Sequence, residues 1–389
     1  MEHDHKKTAL DSFVDPSAPI CYGILKPGEH FPDGIPVIKV KNIVGGRIFE
    51  DGLLRTSPQI HSQYKRAEVK EGDLLLTIRG TTGRVAIVPP SLSGANITQD
   101  TARIRVSKDD HSLYVFYALQ SPNVQRQIDL NTVGQAVKGI NIAEVKKLRI
   151  FHPAGEEQKK IAKILSTWDK AITTTEQLLA NSQQQKKALM QQLLTGKKRL
   201  LNKDGVRFDG GWKIHPLKKL LQISKGDQLN KDTLSKSGEY PVINGGIEPS
   251  GYTSQYNTEA STITISEGGN SCGFVGFQSV KFWCGGHCYA INSLKTDLNF
   301  TYQLLKFNQS RIMRLRVGSG LPNIQKKDLE SLSVSYPISH EEQQRIAAVL
   351  SAADHKIDSL MQQLQALKNE KKALMQQLLT GKRRVKTGS

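Results

Sequence analysis

Over the last fifth of the chain, apolar residues recur in unbroken steps of four and three. The positions are Ile346, Leu350, Ala353, Ile357, Leu360, Leu364, Leu367, Lys371, Leu374 and Leu378. The same register occurs earlier at Ile161, Leu165, Trp168, Ile172, Thr175, Leu179, Ser182, Lys186, Leu189 and Leu193. A 3.5-residue period sustained over about five heptads predicts a long helix that needs a coiled-coil partner. Pro153 and Pro337 lie just upstream, and Gly196 and Gly381 suit the residue past each helix end. The Lys/Arg clusters after those glycines favour the negative end of the helix dipole. Thr175, Ser182 and Lys186 dilute the first seam, whereas Lys371 alone breaks the second. Two unequal seams of equal length in one chain are expected to pair with each other, antiparallel.

The remaining segments show short β-branched or apolar runs bounded by Gly, Pro, Asn and Asp, the pattern of strands. In the first half these are "GIPVIKVKNI", "GDLLLTIRG", "GRVAIVP" and "TARIRV"; in the second, "EYPVINGG", "STITIS", "CGFVGF" and "CYAI". A helix is predicted around 112–129 and another near 297–315. Residues 197–215 read as a polar, Gly-rich linker.

The two long-helix segments are copies. "KKALMQQLLTGK" occupies both 186–197 and 371–382, and at the same offset "EEQKKIAKILS" (156–166) meets "EEQQRIAAVLS" (341–351) and Asp169 meets Asp354. Upstream the match loosens: "VGQAVKGINIAEVKKLRIFHP" (133–153) resembles "VGSGLPNIQKKDLESLSVSYP" (317–337), with Asn141-Ile142 answering Asn323-Ile324. "LLTIRGTTGRVAIV" (75–88) roughly parallels "TITISEGGNSCGFVGF" (262–277). This is duplication on the scale of a domain, not a solenoid period. The expected fold class is α+β: two β-rich domains and two long helices forming an antiparallel coiled coil, with an internal pseudo-twofold duplication. The segments expected are a first domain over 1–155, a helix over 156–200, a linker and second domain over 201–340, and a helix with basic tail over 341–389.

Charge adds the first functional clue. The net charge of +18 divides as +4, +5, +5 and +4 over residues 1–155, 156–204, 205–340 and 341–389. Such an even surplus suits a protein touched along its length by an extended polyanion. Mean hydropathy is −0.41, and no run approaches the roughly 18 apolar residues of a membrane span. Four cysteines form no disulfide framework, so a soluble protein of the reducing cytoplasm is expected.

No GxxxxGK[ST] loop, GxSxG or HExxH is present, and neither is an amino-methyltransferase Asn/Asp-Pro-Pro-aromatic motif. Pro32-Asp33 with Glu68-Val69-Lys70 makes a nuclease-like pairing that is common by chance. Cys272, Cys284, His287 and Cys288 fall within 17 residues but match no usual zinc knuckle, and small buried strand residues explain them better. His3 and His5 read as part of a disordered start.

Two variable β-rich domains, each followed by "EEQ…IA…LS…KKALMQQLLTGK", resemble the specificity subunit of a type I restriction–modification system. The resemblance spans the whole chain, and its helix signature is specific. It implies a subunit without catalysis, cofactor or metal that reads a bipartite, asymmetric target in double-stranded DNA. It also implies two DNA methyltransferase subunits as partners and, through them, restriction subunits, with no membrane. The rivals are a nucleic-acid enzyme with fused recognition domains and a purely structural coiled-coil adaptor.

Base-reading candidates follow from position and chemistry, since Arg favours guanine and Asn or Gln favours adenine. Arg79, Thr81, Thr82 and Arg84 lie on a Gly-flanked turn between two predicted strands, with Gln99, Lys138 and Asn141 on nearby loops. Asn270, Ser271, His287, Arg316, Ser319 and Asn323 occupy roughly corresponding places in the second domain. Lys65, Arg66, Lys326 and Lys327 are candidates for phosphate contacts. Helices of up to roughly 60 Å would act as a ruler between half-sites, whose centres are best placed about one DNA turn apart.

Overall fold

Leu74, Leu75 and Leu76 show how the strands are built. Leu74 and Leu76 enter one apolar cluster with Tyr114, Leu119 and Ile161, while Leu75 enters another with Ile38, Ile43 and Ile97. Successive side chains point to opposite faces, and both faces are covered, so the strand reads as an uninterrupted apolar run. The second domain repeats this. Ile263, Ile265, Tyr289 and Ile291 face one cluster, whereas Cys284, Cys288 and Ala290 face another around Phe282.

The structure is a computed structural model that describes residues 7–135, 138–318, 320 and 322–386. It divides into two units, one formed by Met1–Thr175 with Gln363–Ser389 and the other by Glu176–Gln362. Each unit contains one β-rich domain and a portion of both long helices, Gly155–Leu193 and His340–Leu378.

In the first unit a four-stranded antiparallel sheet runs in the order Cys21–Tyr22, Thr101–Ile104, Leu74–Thr77, Val85–Ile87. A three-stranded sheet orders Leu54–Thr56, Ile35–Ile38 and Asn96–Ile97, the last two parallel. Lys7–Ala9 pairs with Arg149–Phe151. The second unit repeats all three. Its four-stranded sheet orders Gln222–Lys225, Cys288–Asn292, Thr262–Ser266 and Val275–Gln278. Its three-stranded sheet has Tyr252–Thr253, Tyr240–Ile243 and Trp283–Cys284, and its pair is Trp212–Pro216 with Ser333–Pro337. Among the described residues only the first unit adds a hairpin, Ile43–Val44 with Arg47–Ile48.

The fold is α+β, and each predicted strand run contains a strand. Three expectations are corrected. The helix expected over 112–129 is two, Ser112–Gln120 and Pro122–Leu130, because Pro122 cannot continue a helix and Ser121 caps the new one. Its counterpart divides at Asn308 into Leu298–Phe307 and Gln309–Met313. The linker is ordered at both ends: Arg199 lies over the Trp212 ring at 5.9 Å, and Trp212–Pro216 is a strand whose partner lies some 120 residues further on.

The third correction concerns the looser repeat. Gly139 bridges to Arg79 and Val133, and Asn323 bridges to Gly268 and Val317. The next amides match too, Ile140 N donating to Ile78 O at 2.9 Å and Ile324 N to Glu267 O at 2.8 Å. Gly139-Ile140, not Asn141-Ile142, therefore answers Asn323-Ile324. Asn141 precedes the helix Ile142–Lys147 as Gln325 precedes Lys326–Ser331. The shared "NI" dipeptide lies two residues out of structural register.

All twenty seam positions are buried or half-buried. In the first unit Ile161 and Leu165 pack with Leu378 and Leu379, and Lys371 Nζ meets Asp169 Oδ1 at 2.5 Å. In the second, Leu193 and Leu194 pack with Ile346 and Leu350, and Lys186 pairs with Asp354. The helices thus pair antiparallel within each unit, and the seam lysines are neutralised by aspartates of the facing helix, a device that fixes register. Thr175 and Ser182, the weak points of the first seam, are 5% and 6% exposed, small enough to be enclosed.

The "EEQ" openings are used within the chain. Glu157 accepts from Arg384 Nη2 at 2.7 Å and from Val385 N at 3.0 Å, and Glu342 accepts from Arg199 Nε at 2.5 Å and Nη2 at 2.7 Å. Burial opposes the charged form of Glu157, but Arg384 and the Val385 amide outweigh it and hold the carboxyl below the usual range. Gln158 Oε1 accepts from His111 N at 2.9 Å and Gln343 Oε1 from Asp297 N at 2.9 Å, tying each long helix to the start of a domain helix. One arginine of the basic cluster after each long helix, Arg199 and Arg384, thus reaches a buried carboxylate. Gly196 and Gly381 make the turn possible with φ of 71° and 75°.

Candidate nucleic-acid interface

Each unit has a turn where its central buried strand ends. In the first unit the strand Leu74–Thr77 leads into residues 78–83, closed by Gly83 N donating to Thr77 O at 2.9 Å. Gly80 and Gly83 hold φ of 73° and 84°. A Cβ on Gly83 would lie 2.6 Å from Gln125 Oε1, and Gln125 Nε2 donates to Gly83 O at 2.9 Å, so the helix Pro122–Leu130 clamps the turn.

Two further loops converge here. Ile78 N and Arg79 N donate to Asp100 O, and Gly80 N donates to Lys138 O at 2.9 Å. Arg79 Nη1 donates to Gln99 Oε1 at 3.1 Å. The sequence candidates Arg79, Thr81, Gln99 and Lys138 are therefore neighbours along three converging loops, with Thr82 half-buried beside them. Arg84 is different. It is half-buried, and Nη1 donates to Ile43 O at 3.1 Å, holding the hairpin to the sheet. Asn141 is exposed, with no side-chain cap bond.

The second unit has the equivalent turn, one residue longer, closed by Gly273 N donating to Ser266 O at 2.8 Å with φ of 87° at Gly273. Asn270 is exposed, and Ser271 is half-buried, with its carbonyl accepting from Phe274 N. Gly269 N donates to Pro322 O at 3.1 Å, which brings the Asn323 loop alongside. His287 is exposed, its amide donating to Asn244 Oδ1 at 2.8 Å and its Nδ1 3.4 Å from Glu267 Oε2. Arg316 is exposed next to Val317. Ser319 lies outside the described residues, as do His3 and His5.

The four phosphate candidates lie away from these turns in sequence. Lys65 pairs with Glu68, and Arg66 sits over the Tyr22 ring at 5.8 Å. Lys326 and Lys327 open the helix after Asn323, with Lys326 3.7 Å from Glu330.

Sequence reasoning missed Gln125, which bonds the first turn, Glu267, whose main chain joins the loops of the second, and Asn244 and Lys225, which bond His287 N and the Glu267 carboxylate. One signal was present: Glu267 is an acid directly after the uncharged strand run "TITIS", and it precedes two glycines. As for the cysteines, Cys272 Sγ donates to Glu267 O at 3.1 Å, and Cys284 and Cys288 are buried in an apolar cluster. Among the described residues no His/Cys/Asp/Glu group is placed to hold a metal ion, and no helix is long and apolar enough to cross a membrane.

The chain matches known proteins along most of its length. The family model for the type I restriction modification DNA specificity domain matches twice, over residues 26–181 and 209–369. The putative type I restriction enzyme MjaX specificity subunit of Methanocaldococcus jannaschii is 31% identical over 381 residues, covering 91% of this chain and 88% of that protein. A putative type I specificity subunit of Mycoplasma genitalium is 35% identical over 152 residues, which span 38% of this chain and only 39% of that relative. The fold resembles the crystal structure of a type I S subunit from M. genitalium with a TM-score of 0.66 at 18% identity, covering 96% of both chains.

Proposed function

We propose a function from one premise: the chain belongs to the type I restriction modification DNA specificity family. On this reading it is a non-catalytic subunit that binds double-stranded DNA, each β-rich domain reading one half of a bipartite, asymmetric target. It carries two methyltransferase subunits and, through them, restriction subunits. The observation that supports this best is the contrast inside the duplication. Two domains share sheet order and loop closures, yet present Arg79, Thr81 and Gln99 at one turn and Asn270, Ser271 and His287 at the other. A scaffold kept constant under exchanged polar side chains is what two readers of different sequences require.

The test is a domain swap in the reconstituted complex with methyltransferase subunits. Replacing residues 1–150 with the matching domain of a relative should change one half of the methylated motif and leave the other intact. A palindromic motif, or a swap that alters both halves, would contradict the reading. The spacing is tested separately. A heptad added near Gln177 and another near Gln362 lengthens each helix by about 10 Å, which corresponds to about three base pairs. The unread gap in the methylated motif should grow accordingly.

A further inference from the structure

The two domains place opposite kinds of residue at one point of the fold. Where the first has Ile78, 3% exposed, the second has Glu267. Their equivalence rests on backbone bonds: each carbonyl accepts from the isoleucine amide of the following loop, and the next residue of each bridges to that loop.

Glu267 joins three loops through its main chain. Its amide donates to His287 O at 2.9 Å, and its carbonyl accepts from Ile324 N at 2.8 Å and from Cys272 Sγ at 3.1 Å. None of these bonds involves the carboxylate, so the loops are held whatever the side chain is. The carboxylate has other partners. Oε1 lies 2.5 Å from Lys225 Nζ and 3.3 Å from Tyr289 Oη, and Oε2 lies 3.4 Å from His287 Nδ1. The Tyr289 hydroxyl also donates to Ile324 O at 2.9 Å, which fixes that wall of the site. The acid is enclosed, at 12% side-chain exposure, while Lys225 and His287 are 51% and 63% exposed. A recessed carboxylate thus holds two outward basic groups that come from different elements.

An acid beneath a face that meets a polyanion lowers affinity, because it repels phosphate and neutralises a lysine. Its presence is accounted for by what it aligns. We propose that Glu267 is the positioning residue of the second recognition face: its carboxylate orients Lys225 and His287 for base reading, trading non-specific affinity for discrimination. In the first domain Gln99 does this for Arg79 without charge, and Ile78 fills the acid's place. The inference rests on the DNA-reading function proposed above.

The experiment uses the full chain assembled with its methyltransferase subunits. Methylation sequencing of the wild type first defines the motif. Binding is then measured against the motif, against duplexes altered in one half, and against unrelated DNA, over a range of salt. Glu267→Gln keeps the shape and the main-chain bonds but removes the charge. Discrimination at the second half-site should fall at least tenfold with the first unchanged, while affinity for unrelated DNA holds or rises. The salt slope should steepen by up to about one as Lys225 is released. Equal loss on specific and unrelated DNA would assign Glu267 to the fold alone, and unchanged discrimination would also overturn the idea. Should that variant fail to fold, Lys225→Gln combined with His287→Gln must give the same tenfold loss at the second half-site, and no loss refutes the proposal. A wild-type complex with no bipartite motif sinks the function and this inference together. A normal motif with unaffected variants sinks the inference alone.

Discussion

The seam of the long helices and the turns at the strand ends are both duplicated, but they have been treated in opposite ways. In the seam, Lys186 and Lys371 meet Asp354 and Asp169 in matching pairs, and just past the helix ends Arg199 and Arg384 meet Glu342 and Glu157. At the turns, Ile78 faces Glu267, Arg79 faces Gly268 and Gly139 faces Asn323 as structural equivalents. The difference shows where identity is required. Repeated side chains are first occupied with one another inside the chain, so their sameness needs no outside partner to explain it. What the repeated helices leave for partners is their exposed residues, such as Gln191, Gln192, Gln376 and Gln377. At the turns only the main-chain closures are common, and the side chains are free to differ.

The largest effect is expected in the core that both copies share. Leu165 and Leu350 occupy equivalent positions, and both are fully buried. Alanine at either should cost about 2–5 kcal/mol by lost burial and cavity formation, and the two costs should be similar. Denaturant unfolding of each variant measures this. A large cost at one and little at the other would show that the copies are alike in sequence only.

The buried carboxylate of Glu157 comes next. Arg384 is more than half exposed, so its loss should cost less than a fully buried pair, roughly 2–3 kcal/mol for Arg384→Ala. The pH dependence follows from the lowered pKa. A carboxyl held below its unfolded value contributes stability that is complete above the unfolded pKa and is lost as pH falls through the folded one. Melting temperatures of the wild type should therefore drop on acidification below about pH 4 more steeply than those of Glu157→Gln. Parallel curves would mean that this ion pair contributes nothing to stability.

A smaller effect is expected at the first turn, and it sharpens the contrast between the domains. Arg84 is bonded to Ile43 O, so its removal disturbs the fold; Arg79 is the informative position. Arg79→Ala should reduce discrimination at the first half-site by about 1–3 kcal/mol, with the second half-site untouched. Gln99→Ala should produce part of the same loss, since it removes the partner that aims the guanidinium. Half-site binding measurements in which Gln99→Ala is silent would leave Arg79 without a positioning residue.

Much of the architecture was legible in sequence because it depends on local pattern. The 3.5-residue period located two 39-residue helices, and the strand runs located the sheets. What stayed hidden depends on long-range partners. Trp212–Pro216 looked like linker because its partner strand begins at Ser333. Arg384 reads as part of a basic tail because its partner Glu157 lies 227 residues earlier. The site was visible as a set of polar residues near glycines, but not as a geometry. Only the backbone bonds show that Gly139 and not Asn141 answers Asn323, and only the guanidinium bond to Ile43 O shows that Arg84 turns inward.

The smallest expected effect concerns the sequence-independent part of binding. Each lysine or arginine that neutralises a phosphate contributes about 0.9 to the slope of log affinity against log salt, so Lys65, Arg66, Lys326 and Lys327 would together contribute nearly four if all were free. They are not equally free. Lys65 is paired with Glu68, which also meets His61 at 3.0 Å, and Lys326 is near Glu330. A lysine already neutralised displaces fewer counterions from DNA. Arg66 is exposed above the Tyr22 ring, and Lys327 is exposed. Arg66→Ala with Lys327→Ala should therefore account for most of the flattening, and the quadruple variant should approach two. If Lys65→Ala with Lys326→Ala flattens the slope just as much, those ion pairs open when DNA binds, and pairing in the free protein does not mark which lysines touch phosphate.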